Sequence, residues 1–297
     1  MKDPLKAVSY GEILWDVFPD GKKLGGAPLN LCLRLKSLGV SVNMISRLGT
    51  DALAEETRAK LDLLDLNQSL IQEDDELETG QVLVTLDDSG SASYEIKEPV
   101  AWDAIAISKE NQKAVAHADL FVFGSLAARC ETSRATLKEL LPQSKFAVFD
   151  VNLRAPHYKM EHLVQFMKQA QMVKMNDEEL EILASHFGIK SKAIEDQLAQ
   201  LSKETNTSLI CVTLGKNGAV LYKDGKLHAH PGYTTTVVDT VGAGDSFLGG
   251  LLYQLFKEES EPVYALGFAC ALGAMVAGRK GANPKITKDE ILDKMEE

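Results

Sequence analysis

Asp239-Thr240-Val241-Gly242-Ala243-Gly244-Asp245-Ser246-Phe247 joins a glycine-rich turn to an apolar run of helical character, Ser246 to Phe256, with an acid in the first helical turn. Gly242 and Gly244 lack a Cβ, so the backbone can take φ values closed to other residues and approach a ligand closely. A helix that starts there aims unpaired amides and the positive end of its dipole at an anion. The plain structural reading of Asp245 is a helix-terminal acid that complements the dipole. The chemical reading is group transfer: Asp245 accepts a proton from a hydroxyl while the Gly242, Ala243 and Gly244 amides stabilise charge on a phosphoryl group.

Other polar groups recur beside apolar runs. Asp150, Asn152 and Arg154 alternate after Phe146–Phe149, so an extended backbone turns all three to one side. Each alone reads as a polar strand exit; together they suit contact with a sugar or a nucleotide phosphate, Arg154 especially the phosphate. Asn176 and Glu179 are spaced as a helix N-cap with its reciprocal acid. Thr213-Leu214-Gly215-Lys216-Asn217-Gly218 reads as a hairpin turn.

The elements that must position these groups are legible as alternation. Leu120–Phe123, Phe146–Phe149, Met172–Met175 and Leu209–Thr213 are strand-like, separated by helical segments centred near 137, 165 and 182. This pattern predicts an α/β fold with a mostly parallel sheet flanked by helices. Ligands collect beyond the carboxyl ends of such strands, here at Gly124-Ser125, Asp150-Val151-Asn152, Asn176 and Gly215. Two regions, Glu12–Leu24 and roughly Gln68–Val100, lack the helix period and read as short strands of a small antiparallel sheet, with a turn at Asp87-Asp88-Ser89-Gly90. The Glu73-Asp74-Asp75-Glu76 run reads as a solvated turn. No Pro/Gly/Ser-rich linker or internal repeat divides residues 1–297, so a single domain is expected.

Bulk properties narrow the function. The chain of 297 residues is 45% hydrophobic, enough for a large core. A net charge of −11 with no basic cluster speaks against a nucleic-acid partner. Cys32, Cys130, Cys211 and Cys270 lie far apart in apolar stretches and read as buried thiols. Met1 to Lys6 is charged with no leader-like core, and no run of 18 apolar residues occurs, so the expectation is a cytoplasmic protein without a membrane partner. GxxxxGK[ST] and a strand-following GxGxxG are absent, and His157, His162, His228 and His230 have no acid or cysteine at ligand spacing.

DTVGAGDSF resembles the C-terminal signature of the ribokinase-like, or PfkB, carbohydrate kinases, and Gly25-Gly26-Ala27-Pro28-Leu29-Asn30 resembles their N-terminal one. The resemblance implies a ribokinase-like fold, with the small sheet as a lid over the sugar. It implies Asp245 as general base, with Asp16, the Gly25-Gly26 backbone and Asn30 on sugar hydroxyls. ATP is expected near Lys174, Thr213, Gly215 and Gly218, and Mg2+ near Asn176 and Glu179 through bound waters. Asp239, Ala277 and Gly281 fit the family's monovalent-cation place, but Lys285 stands where a small polar residue is common, which leaves K+ activation open. Relatives with GGKG place that lysine on a phosphorylated sugar; Ala27 and Pro28 here imply a neutral one. GEILWD, GGAPLN, FGSLA and DVNLR are together most similar to fructokinase, hence the expected reaction, D-fructose to fructose 6-phosphate. The alternatives are ribose or 2-keto-3-deoxygluconate as acceptor, or a sensor that binds without catalysis. A homodimer is expected, since lid sheets in this family often pair.

Overall fold

The computed structural model describes residues 4–86 and 92–297, so the expected turn at 87–90 lies outside the described residues. In chain order the first half comprises β1 (Lys6–Tyr10), β2 (Leu14–Phe18), β3 (Gly21–Gly25), α1 (Ala27–Ser37), β4 (Ser41–Gly49), α2 (Ala52–Leu63), β5 (Ile71–Asp74), β6 (Gly80–Leu86), β7 (Ala92–Ile96), α3 (Lys109–His117) and β8 (Leu120–Gly124). The second half comprises α4 (Glu131–Leu140), β9 (Ala147–Asp150), α5 (Met160–Met167), β10 (Met172–Asn176), α6 (Asp177–His186), α7 (Ile194–Thr205), β11 (Leu209–Thr213), β12 (Ala219–Lys223), β13 (Lys226–His230), α8 (Ala243–Leu252), α9 (Pro262–Ala277) and α10 (Lys288–Met295).

Nine strands form one sheet in the order β13-β12-β11-β10-β9-β8-β1-β4-β5. The ladder from β5 to β11 is parallel, and β12 and β13 close it as an antiparallel ribbon. Both faces are buried because successive side chains of each strand point to opposite sides. Phe121, Phe123, Phe149, Val173 and Ile210 enter one core, and Leu120, Val122, Val148, Met172 and Leu209 enter the other. Phe123 stacks on Phe149 at 5.0 Å and meets Phe166 of α5 edge-on at 5.6 Å. On the opposite face the core joins the sheet to α8 and α9, where Gly250 lets the helices approach: a Cβ there would lie 3.4 Å from Ala269 Cα.

The smaller sheet has the order β3-β2-β6-β7. Its β2–β6 pair is parallel, so the expected wholly antiparallel sheet is corrected to a mixed one. Ile71–Asp74 also departs from expectation: it pairs in parallel with β4 as the edge strand of the large sheet. Ile71 packs with Met44, Leu48 and Leu61, while Asp74 is buried, ion-paired to Arg47 Nε at 2.8 Å and bonded to the Glu76 and Leu77 amides. The acidic run is therefore a strand end stapled by its own carboxylate, a pairing that local charge density does not reveal. The thiols match expectation in part: Cys32, Cys211 and Cys270 are buried and Cys130 is half-buried, all four free.

Truncating Phe123 to Ala removes a ring packed on three others, Phe121, Phe149 and Phe166, at the centre of the sheet. It is expected to lower unfolding free energy by about 3–5 kcal/mol, read as a lower urea midpoint at unchanged slope.

Candidate active site

Parallel strands place the ends of β1, β8, β9, β10 and β11 along one edge, and the small sheet grows from the β1 end of it. Gly242 takes the left-handed conformation, φ 77°, and caps α8, which begins at Ala243 rather than Ser246. A Cβ on Gly242 would lie 2.6 Å from Ala282 Cα, so the turn requires glycine for space as well as for φ. Of the three amides expected to face an anion, that of Ala243 donates to the Thr240 carbonyl at 3.2 Å. Those of Gly242 and Gly244 meet no backbone acceptor among the described residues.

Asp245 stands in the first turn of α8, and its Oδ2 accepts from Asn30 Nδ2 at 2.8 Å. Asn30 is buried in α1, which follows Gly26, whose φ of 110° and lack of Cβ admit the Glu12 carbonyl. Asp245 keeps some solvent contact, but the protein around it pushes its carboxyl up to about 6, first through lost hydration and then through the Asp150 charge, against the Asn30 bond, Lys174 and Arg154.

Lys174 on β10 donates to both oxygens of Asp150 on β9, at 3.0 and 3.3 Å, with both side chains buried. Burial alone would lower the Lys174 ammonium, yet Asp150, Glu179 and Asp245 outweigh it and raise its proton affinity. The ammonium lies beside the anion turn: a Cβ on Gly244 would sit 3.5 Å from Nζ.

Asn176 and Glu179 form a complete capping box at the start of α6: Asn176 Oδ1 accepts from the Glu179 amide at 2.7 Å, and Glu179 Oε2 from the Asn176 amide at 2.9 Å. Glu179 Oε1 accepts from the Leu153 amide at 2.7 Å. Burial raises the Glu179 carboxyl, aided by Asp150. Each oxygen keeps a lone pair, so the pair fits a hydrated Mg2+ held through water, while no cluster of three or more His, Cys, Asp or Glu suited to a metal ion occurs among the described residues.

Asp16 on β2 is half-buried beside Gly25, where a Cβ would lie 2.9 Å from its Oδ2. Burial raises its carboxyl, with Lys23 and Arg154 opposing. Asn152 has φ 38°, so the backbone after β9 is not extended and the expected one-sided row of Asp150, Asn152 and Arg154 does not form. Arg154 is nonetheless exposed where its charge is felt by Glu12, Asp16 and Asp245. Thr213 ends β11, and Gly215 and Gly218 turn the chain into β12 with φ of 55° and 83°. A Cβ on Gly218 would strike the His230 carbonyl at 2.0 Å, so that glycine is demanded by packing as well as by its φ.

Asp239 accepts from the Val241 and Gly281 amides, both at 3.1 Å, and pairs with Lys23 at 3.5 Å. The Ala277 carbonyl already accepts from the Val238 and Asp239 amides. The chain's own donors take up the Ala277 carbonyl and part of the carboxylate, while Asp239 Oδ1 keeps a lone pair. Lys285 is exposed and forms no ion pair among the described residues, so it is no substitute cation.

Three participants had no signal of their own in sequence. Glu12 is buried with Oε2 unbonded and its carboxyl pushed up to about 7 by burial. Lys23 reaches Asp239 from the small sheet, and Asn283 reaches Asn30. Only Glu12 lay within a recognisable string, GEILWD.

The PfkB carbohydrate kinase profile matches residues 4–289. The chain belongs to the PfkB family of carbohydrate kinases. It is 29% identical to fructokinase-2 of Solanum lycopersicum over 315 residues, 96% of this chain and 94% of that protein. The fructokinase of Xylella fastidiosa with bound ATP superposes with a TM-score of 0.84 at 22% identity, covering 98% of each chain. The 2-dehydro-3-deoxygluconokinase of Thermotoga maritima superposes at 0.87 with 19% identity, covering 99% of each. These two structures establish the ribokinase-like fold, a large mostly parallel sheet with flanking helices and a smaller second sheet.

The buried ion pair makes a stability prediction for this PfkB kinase. Lys174→Met leaves Asp150 an unpaired buried carboxylate and is expected to cost about 3–5 kcal/mol in urea unfolding, whereas Lys174→Met with Asp150→Asn recovers most of it.

Proposed function

We propose that the protein transfers the γ-phosphoryl group of ATP to the 6-hydroxyl of D-fructose, with Asp245 as general base. The observation that carries this reading is Asp245 itself: a carboxylate bonded to Asn30, raised toward neutral pH, at the foot of a helix that presents the Gly242 and Gly244 amides. A base in that range takes a hydroxyl proton as the bond to phosphorus forms and releases it afterwards at neutral pH. The amides and the nearby Lys174 ammonium offer positive charge to the equatorial phosphoryl oxygens, and positioning supplies much of the rest.

Asp16, the Gly25-Gly26 backbone and Asn30 line the acceptor side and offer donors and acceptors along one face of a polyol. The small sheet serves as a lid that excludes water from the transfer. Thr213, Gly215 and Gly218 border the nucleotide side. Asn176 and Glu179 would hold a hydrated Mg2+, which would supply positive charge for the phosphates. Fructose is favoured by the name of the tomato relative and by Ala27 and Pro28, which leave that turn without a cation for a pre-existing phosphate. A second acceptor, 2-keto-3-deoxygluconate, is favoured by Arg154, an exposed cation whose charge reaches Asp16 and Asp245 and which a sugar acid's carboxylate would pair with.

A coupled ADP-release assay across free sugars and sugar acids tests both. Turnover fastest on fructose supports the first acceptor, and turnover fastest on the sugar acid, abolished by Arg154→Met, supports the second. Asp245→Asn is expected to lower kcat by about 10²–10⁴-fold; retention of full kcat would sink the base assignment. Since the base must be ionised, kcat should rise with pH through about 6 and level above it.

A further inference from the structure

Residues 281–284, after α9, are clamped against the proposed site at three points. The Gly281 amide donates to Asp239, Ala282 abuts Gly242, and the Pro284 carbonyl accepts from Arg34 Nη2 at 3.2 Å. Arg34 in turn donates from Nε to Ser246 Oγ at 3.0 Å, so this loop and the start of α8 share one buried guanidinium. Between these clamps Asn283 Nδ2 donates to Asn30 Oδ1 at 2.8 Å.

An amide can turn over and exchange its oxygen with its NH2 at almost no steric cost, so hydrogen-bond partners decide its orientation. The Asp245 carboxylate accepts only, and therefore demands the NH2 of Asn30. That choice leaves the Asn30 oxygen on the other side, within a residue only 4% exposed, and Asn283 supplies the donor it needs. In the opposite orientation a carbonyl would face the carboxylate, and the exposed Asn283 would have to turn its own amide over to keep a bond to Asn30.

We propose that Asn283 is a positioning residue for the acceptor site: it locks the Asn30 amide with its NH2 toward Asp245, and so sets both the aim of that carboxylate and how strongly it holds a proton. The inference rests on the reading of Asp245 as the base. The other charged groups acting on Asp245 are Asp150 of β9, Lys174 of β10, Arg154 beyond β9 and Glu12 between β1 and β2. None of them changes when Asn283 is replaced. Weakening the Asn30 bond therefore leaves Asp245 a better-held proton, and the acidic limb of the rate profile moves up.

The test is the pH dependence of kcat from about pH 5 to 8 in the full-length enzyme with its best sugar. It compares wild type, Asn283→Leu, which keeps the shape without the donor, and Asn283→Asp, which presents an acceptor to the Asn30 oxygen. The expected result is a limb shifted up by about half a pH unit for Asn283→Leu and further for Asn283→Asp, with kcat falling more than KM changes. In an Asn30→Ala background Asn283→Leu should shift nothing more. An unmoved limb in both variants, even with a lower plateau, overturns the positioning role while leaving Asp245 as base. Absence of sugar-dependent turnover in the wild type overturns the kinase reading and this inference with it.

Discussion

The Lys174 ammonium, buried between neighbouring strands, is the charge on which the site's other charges depend. Removing an ammonium from water is costly, and here the cost is offset because Asp150 binds it directly while Glu179 and Asp245 add their fields. The arrangement works in both directions. Asp150 holds Lys174 charged, and Lys174 lets acids lie close together without all of them taking up protons. Asp245 ends as the balance of these opposing fields, above an ordinary aspartate yet still ionised at neutral pH.

That balance needs the sheet. Parallel β9 and β10 set Lys174 opposite Asp150 in register, and α6 begins at the end of β10, so Glu179 falls at the same edge. The two apolar cores hold the register from both faces, since a one-residue slip would turn every core side chain to the wrong side. Helix α8 then comes in over the edge from a separate connection, and Gly244 in its first turn lies beside the ammonium.

The small sheet is joined to this centre by charge as well as by chain. Trp15 is buried with its Nε1 bonded to Thr57 Oγ1 of α2, and the ammonium groups of Lys22 and Lys60 lie 4.8 and 4.4 Å from its ring centroid. This roots β2 firmly. On the far side Lys23, directly across from Asp16, reaches Asp239 in the loop that leads to the anion turn. The pair at 3.5 Å is partly exposed and worth little energy, so it ties the sheet to the loop without freezing it.

Features carried by consecutive residues are legible in the chain itself. The glycine turn with its acid, the capping box of Asn176 and Glu179, and four parallel strands each arise from short-range sterics, dipole complementarity or side-chain periodicity. The sequence alone thus determined the family, the helix that carries Asp245 and the sheet edge along which the candidate site is built. Tertiary structure decided what depends on partners far apart in the chain: Ile71–Asp74 joins the large sheet because Arg47 and a remote apolar cluster receive it, and Asn152 breaks the strand exit with a left-handed φ. Likewise, Lys174 meets Asp150, and Asn283 meets Asn30, only after folding. A lysine or an asparagine looks the same in sequence whether it faces water or a buried carboxylate, and only the assembled fold, by removing the water, gives it that role.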